Sequence, residues 1–149
     1  VYCCKFITGI MFCCHYCAYT AADMAGTMRL SYPPNVKIIR VPCSGKVDSI
    51  HMMKALEKGA DGVLVAGCLE GDCHFKSGNT KAAKRVAFVR NLLVELGFEP
   101  ERLAMVTVSA GMGTRFAQIA KEFTEQIRNL GPNPVRAVLK AAGGASQAR

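Results

Sequence analysis

The chain has 149 residues, of which 50% are hydrophobic and 20% charged, and this composition is typical of a globular domain and excludes a disordered chain. Its apolar runs are far shorter than the roughly 20 residues of a membrane-spanning helix, so no membrane span is predicted. The formal net charge of +8 allows an acidic protein partner or nucleic acid, but specifies neither.

Eight cysteines narrow the chemistry that the chain can carry. Small secreted proteins use that many cysteines as disulfides, but such proteins lack long periodic helices and buried strands. This sequence predicts both kinds of element. We therefore expect metal binding or thiol redox chemistry, and a location inside the cell, in the cytoplasm.

The first predicted strand covers residues 6–12, where an apolar run suits a strand buried on both faces. The run leads into Cys13-Cys-His-Tyr-Cys17, and the spacing of Cys14 and Cys17 lets two sulfurs reach one metal ion or each other. A helix is expected over about residues 20–30. Its N-terminus would lie beside these thiols, and the positive end of its dipole favours thiolate over thiol.

The second predicted strand covers residues 36–41 and is followed by a third thiol site at Cys43. Asp48 can cap the helix that comes next, and Gly59 ends it. The third predicted strand is the apolar run at residues 61–66.

The loop after the third strand, Gly67-Cys-Leu-Glu-Gly-Asp-Cys-His74, is the richest in chemistry. It carries Cys68 and Cys73, and its glycines let the backbone turn tightly around a bound group. Thiolates at such a place suit a soft metal. The same two cysteines could also be ordinary small apolar residues at a strand end.

The C-terminal half predicts two long helices around a fourth strand. The first helix starts at Asn79 or Thr80, which can cap it, and ends at Leu96. The fourth strand is expected at residues 103–108, and the last helix at about 114–130, where apolar residues keep helical spacing.

Alternating strands and helices predict an α/β fold, a four-stranded parallel sheet with flanking helices. The strand order 2-1-3-4 would resemble half of a flavodoxin-like fold and would bring the loops 13–17 and 68–73 together, with Cys43 beside them. We expect residues 1–131 to form this domain. Residues 132–149 contain no acidic residue, and we expect an extended C-terminal tail that is loose or ordered by a partner.

Three of the four predicted strands end in cysteines, and a parallel sheet brings the carboxyl ends of its strands to one edge. The six candidates are Cys13, Cys14, Cys17, Cys43, Cys68 and Cys73. Four thiolates can hold a structural zinc ion or a 2Fe–2S cluster, and the spacing alone does not separate these two sites. The flanking His15 and His74 are interpreted as hydrogen-bond donors to sulfur.

Two further function classes compete with a metal site. A thiol–disulfide oxidoreductase would use Cys14 and Cys17 near a helix start and would bind no iron. A nucleic-acid module would use the net charge of +8, and its binding would fall steeply with salt. Iron analysis and a salt-dependent DNA-binding assay distinguish these alternatives from a metal site.

Several motifs in order make the chain resemble a known family. These are Phe12-Cys-Cys-His-Tyr-Cys-Ala-Tyr19 with Ala22-Asp-Met-Ala-Gly26, then Tyr32-Pro-Pro-Asn35, Ile39-Arg-Val-Pro-Cys-Ser-Gly45, Gly59-Ala-Asp-Gly-Val-Leu-Val65, and the loop Gly67–His74 with Gly78-Asn79. Over about residues 6–131 the chain resembles the delta, or iron–sulfur, subunit of methyl-viologen-reducing [NiFe] hydrogenase. The same domain also occurs fused to the flavin-bearing subunit of heterodisulfide reductase.

The resemblance implies a non-catalytic electron carrier with one 2Fe–2S cluster. Such a carrier passes electrons from a hydrogenase or a formate dehydrogenase to the flavin-bearing subunit of heterodisulfide reductase, in an electron-bifurcating complex of methanogenesis. It implies no nucleic-acid partner. The cluster thiols carried over by motif are Cys14, Cys17, Cys43, Cys68 and Cys73, one more than four.

Among these five, the close pairs Cys14 with Cys17 and Cys68 with Cys73 are the expected ligands, and Cys43 is the fifth candidate. The basic helix after Asn79 and the tail after residue 130 are the expected docking elements.

Overall fold

The computed structural model describes residues 7–144, which contain a four-stranded sheet with helices on both faces. The strands are β1 (Gly9–Cys14), β2 (Val36–Val41), β3 (Gly62–Gly67) and β4 (Leu103–Thr107). The helices are α1 (Thr20–Thr27), α2 (Ser49–Glu57), α3 (Gly78–Glu95), α4 (Gly113–Leu130) and α5 (Pro134–Gly144). Short helical turns lie at His15–Tyr19, Ser44–Lys46 and Pro100–Arg102. Cys3 and Cys4 lie outside the described residues.

All strand pairs are parallel, and the strand order is β2-β1-β3-β4, which confirms the predicted fold class. Each of the six residues of β3 is buried, as expected for a central strand that is covered on both faces. The order places the carboxyl ends of β1, β2 and β3 next to one another.

Alternate residues of the central strands face two separate cores, because successive side chains in a strand point to opposite faces. Leu64 belongs to the core under α1 and α4, together with Phe116. Val63 belongs to the core under α2 and α3, together with Met52. Within residues 7–144, no helix combines the length and the apolarity that crossing a bilayer requires.

Helix α4 packs unusually close to the sheet at two glycines. A Cβ atom on Gly9 would lie 2.9 Å from the ring of Phe123, and one on Gly62 would lie 2.6 Å from Ile127. Both distances are shorter than a carbon–carbon contact. The missing side chains therefore let the apolar stripe of α4 rest directly on β1 and β3.

Strand β1 lies further along the chain than the apolar run predicts. It begins at Gly9 and continues through Cys14, because these residues pair with β2 as far as Val41. The next residues, His15–Tyr19, form a π-helical turn that runs directly into α1. Such turns are rare and are often found at functional sites.

A buried polar network around Asp61 lies at the amino-terminal ends of the strands, and Asp61 itself is 0% exposed. Its carboxylate accepts hydrogen bonds from the amides of Thr8 and Asn133 and from the guanidinium of Arg136. Buried Arg102 donates to the Asp61 carbonyl and to the carbonyls of Gly131 and Pro132 in the turn that precedes α5. Helix α5 was not expected from the sequence, and this network joins its first turn to the sheet.

Candidate metal centre

Five buried thiols meet at the carboxyl edge of the sheet. The end of β1 supplies one, the π-helical turn a second, the turn after β2 a third, and the loop after β3 two more. They are Cys14, Cys17, Cys43, Cys68 and Cys73, each at most 8% exposed. All of the cysteines in residues 7–144 are free thiols. The sheet therefore concentrates soft ligands in a place that excludes water.

Cys14, Cys17 and Cys68 form the tightest group, with sulfur atoms within 4.8 Å of one another. The Cys14 and Cys68 sulfurs are 3.8 Å apart. Two thiolates on one tetrahedral ion, with metal–sulfur bonds of about 2.3 Å, are separated by about 3.8 Å. These three side chains could hold a metal ion.

The sulfurs of Cys43 and Cys73 lie beside Gly78, the first residue of α3. The Gly78 amide donates to the Cys73 sulfur at 3.2 Å. A Cβ atom on Gly78 would lie 2.2 Å from the Cys43 sulfur and 3.2 Å from the Cys73 sulfur. Only glycine lets the positive end of α3 approach both sulfurs this closely.

Asn79 attaches the loop after β3 to the same helix. Its side-chain amide donates to the carbonyls of Cys68 and Leu69, and its side-chain oxygen accepts the Thr80 amide. The sequence predicts Asn79 or Thr80 as a helix cap. The helix instead begins at Gly78, so Asn79 lies in its first turn and orients the cysteine loop.

The thiols differ in their tendency to ionise. A hydrogen bond from Cys17 lowers the pKa of Cys14 to about 5, and the same bond raises the pKa of Cys17. Burial raises the pKa of Cys43 and of Cys68. At Cys73 burial acts in the same direction, but hydrogen bonds from the backbone amides of Asn79, Phe75 and Gly78 outweigh it and lower the pKa. A metal that binds all of these sulfurs must therefore displace protons.

Cys13 is not part of the group of three close sulfurs. It lies one residue before Cys14 in β1 and is 0% exposed in the core under α1 and α4. Burial raises its pKa to about 12, which makes it a poor thiolate. The sequence places Cys13 among six candidate metal ligands. In the structure it lies within β1 and is fully buried, so we assign its side chain to the core.

Aromatic rings lie beside the thiols and are open to solvent. The rings of Tyr16 and His74 stack with centroids 3.9 Å apart, and Phe75 meets both edge-on. Tyr16 is 45% exposed and Phe75 is 52% exposed. In the part of the chain that the structure describes, neither His15 nor His74 donates a hydrogen bond to sulfur, and both instead contact aromatic rings.

A basic depression of about 480 Å³ adjoins Cys43 and Phe75. Its charged rim includes Lys46, Lys81 and Arg85. The Arg85 guanidinium donates to the carbonyls of Gly45, at 2.6 Å, and Val47, at 3.3 Å. Arg85 therefore holds the turn that carries Cys43, while the two lysines remain exposed to solvent.

Several known proteins resemble the chain over most of its length. Residues 10–131 match the family described as methyl-viologen-reducing hydrogenase, delta subunit, and this range includes all five thiols of the sheet edge. The chain is 53% identical over 119 residues to the iron-sulfur subunit of the F420-non-reducing hydrogenase of Archaeoglobus profundus, covering 80% of this chain and 87% of that protein. It is 44% identical over 128 residues to the vhu iron-sulfur subunit of the corresponding hydrogenase of Methanocaldococcus jannaschii, covering 86% and 96%. It is also 40% identical over 129 residues to one subunit of the CoB-CoM heterodisulfide reductase of Methanosarcina acetivorans, covering 87% of this chain but 16% of that protein.

Proposed function

Since the chain belongs to the family of the methyl-viologen-reducing hydrogenase delta subunit, we propose that it is an electron-transfer subunit that carries one 2Fe–2S cluster. The observation that carries this proposal is the convergence of five buried thiols from three strand ends. A 2Fe–2S cluster takes four thiolates in two pairs, so it extends further than one tetrahedral ion. The three close sulfurs and the two beside Gly78 together suit such an extended group.

The proposed ligands are Cys14, Cys17, Cys68 and Cys73, with Cys43 as the fifth candidate. The bound cluster supplies a one-electron redox centre. The protein keeps the sulfurs buried, so that water is excluded from the redox centre. Backbone amides of Gly45 and Gly78 donate to the Cys43 and Cys73 sulfurs and so stabilise negative charge there.

The proposed electron route runs from a hydrogenase, or a formate dehydrogenase, to the flavin-bearing subunit of heterodisulfide reductase in an electron-bifurcating complex of methanogenesis. Two of the relatives support it by name, one as an iron-sulfur subunit of a hydrogenase and one as part of a heterodisulfide reductase. Because the match covers only 16% of the latter chain, a domain like this one forms a small segment of that larger protein. In this proposal the chain is an electron carrier and not a catalyst.

The proposed docking face is the surface over the thiols. Exposed Tyr16 and Phe75 offer apolar contact, and Lys46 and Lys81 add positive charge to the rim of the adjoining depression, which Asp48 also lines. A partner with an acidic rim around its own redox centre would be steered onto this face. Helix α5 starts from the network at Asp61, which lies at the amino-terminal ends of the strands. The thiols lie at the carboxyl ends, so a partner bound to α5 would not cover them.

The experiment that tests the function is metal analysis of protein purified without oxygen. We expect about two irons and two acid-labile sulfides per chain, with the visible absorption of a 2Fe–2S centre and a paramagnetic signal on one-electron reduction. If the analysis instead found one zinc ion per chain and no labile sulfide, the proposed function would be wrong and the thiols would form a structural metal site. A reversible disulfide between Cys14 and Cys17 in iron-free protein would favour a thiol–disulfide oxidoreductase.

A further inference from the structure

Ser44, which directly follows Cys43, carries a buried hydroxyl group that has no hydrogen-bond partner among the described residues. Its side chain is 0% exposed. Among the buried side-chain nitrogen and oxygen atoms in the described residues, the Ser44 oxygen is the one without a hydrogen bond. Burying a hydroxyl without a partner costs free energy, and alanine would fill nearly the same space without that cost. The hydroxyl therefore requires an explanation.

The position of Ser44 relates it to two of the thiols, Cys43 and Cys68. It directly follows Cys43, at the start of the helical turn after β2. Its oxygen lies 2.8 Å from the point that a Cβ on Gly67 would occupy, and Gly67 directly precedes Cys68. The hydroxyl is thus enclosed between the ends of β2 and β3, on the same edge as the sulfurs.

We infer that the Ser44 hydroxyl donates a hydrogen bond to a sulfur atom of the bound cluster and thereby raises its midpoint potential. This inference rests on the proposed function, because the acceptor is part of the proposed cluster. The reduced state of the cluster carries one more negative charge than the oxidised state, and much of that charge resides on sulfur. A donor to sulfur therefore stabilises the reduced state more, and the potential rises.

The close contact between Ser44 and Gly67 indicates that the ends of β2 and β3 hold the Ser44 hydroxyl in a fixed position. Because a side chain at position 67 would collide with the Ser44 oxygen, the glycine leaves room for the hydroxyl at this depth. Ser44 is a positioning and tuning residue in this account, and it is not proposed as a ligand.

The test compares Ser44→Ala with the control Ser77→Ala. Ser77 also lines the depression beside Cys43, but it is exposed and its side chain does not cap α3. Each purified variant is analysed for iron and sulfide, and its midpoint potential is measured by redox titration followed by electron paramagnetic resonance. The iron–sulfur vibrations are recorded by resonance Raman spectroscopy in H2O and in D2O.

We expect Ser44→Ala to keep its iron and sulfide, to have a lower midpoint potential, and to lose part of the shift in D2O. Ser77→Ala should match the unchanged protein in all three measurements. Ser44→Thr, which keeps a hydroxyl, should have a potential closer to that of the unchanged protein than Ser44→Ala. If Ser44→Ala does not retain the cluster, Ser44→Gly provides the same comparison without a side chain.

An unaltered potential and an unaltered D2O shift in an iron-loaded Ser44 variant would overturn the inference and leave the proposed function intact. Absence of iron and sulfide from the unchanged protein would instead overturn the proposed function, and the inference with it.

Discussion

The Cys14 and Cys68 sulfurs lie 3.8 Å apart, although 54 residues separate them in the chain. The register of two neighbouring strands produces this contact, because Cys13 of β1 is opposite Ala66 of β3 and both chain segments leave the sheet just beyond that point. Parallel pairing thus brings together thiols that could hold a metal ion from residues that no local motif connects. Cys17 joins the group because the π-helical turn bends the chain back over the same edge.

Serine substitutions should separate the ligands from the fifth thiol. We expect Cys68→Ser to lose most of the iron or to alter the visible spectrum strongly, because it removes a sulfur from the tightest group. Cys43→Ser should keep the cluster. The measurement is iron and sulfide per chain together with the absorption spectrum. Cys13→Ala is the control, and it should retain full iron because its sulfur is not among the three that lie within 4.8 Å of one another. Loss of the cluster in Cys43→Ser with retention in Cys17→Ser would reverse the assignment.

Gly78→Ala should damage the site although it removes no ligand. The added methyl group would lie 2.2 Å from the Cys43 sulfur, so α3 or the turn after β2 must move. We expect a loss of about 1–3 kcal/mol in the free energy of unfolding, the usual cost of overpacking, together with lower iron content. The matched control is Gly26→Ala in α1, where nothing lies within 4 Å of the new methyl group. That change should be neutral or should stabilise the protein by up to about 1 kcal/mol. Equal iron content in the two variants would contradict the role assigned to Gly78.

Arg102→Met should destabilise the fold without altering the metal site. The change leaves the buried carbonyl of Asp61 and those of the turn before α5 without their charged donor. Hydrogen bonds from charged groups contribute about 1.5–3 kcal/mol each, so we expect a loss of at least about 2 kcal/mol in urea unfolding. Arg115→Met, which breaks an exposed ion pair with Glu122, should cost at most about 1 kcal/mol. Similar losses in both variants would show that the network at Asp61 contributes little.

Charge reversal should show whether the surface over the thiols is the docking face. The variant combines Lys46→Glu and Lys81→Glu, the two exposed lysines of the depression. We expect at least about a tenfold slower association with the isolated flavin-bearing subunit of heterodisulfide reductase at low salt, and a smaller difference at high salt. Arg85 is left unchanged because it holds the turn that carries Cys43.

The control for that experiment combines Lys58→Glu and Lys121→Glu, which change the net charge equally at exposed positions outside the depression. This variant should associate almost as fast as the unchanged protein. If the two variants slowed association equally, the effect would come from net charge, and the surface over the thiols would lose its assigned role.

Local patterns were sufficient for much of the fold. The apolar runs predicted the four strands, and the helical spacing predicted α1 to α4, since burial on both faces or on one stripe leaves a period that the residues themselves carry. The predicted order of the strands was confirmed. The sequence also indicated that thiols gather at one edge, because the carboxyl ends of parallel strands always lie on the same side of a sheet.

Distances between remote residues depended on the tertiary structure. Pairing with β2 extends β1 as far as Cys14 and leaves Cys13 in the core. If the end of β1 moved by one residue, Cys13 and Cys14 would exchange these positions, because successive side chains in a strand face opposite sides. Helix α5 depends on Asp61 and Arg102, which meet the turn before it only after the chain has folded.

The sequence by itself therefore determined the kinds of element, their order along the sheet and the edge that carries the sulfur chemistry, because periodicity and the geometry of parallel strands are local or general properties. The tertiary structure decided that the sulfurs of Cys14, Cys17 and Cys68 lie within 4.8 Å of one another and that Gly78 lies against two more sulfurs. It also decided that the buried Ser44 hydroxyl has no hydrogen-bond partner among the described residues. Those facts depend on strand register and on packing between segments far apart in the chain, and no single stretch of residues contains them.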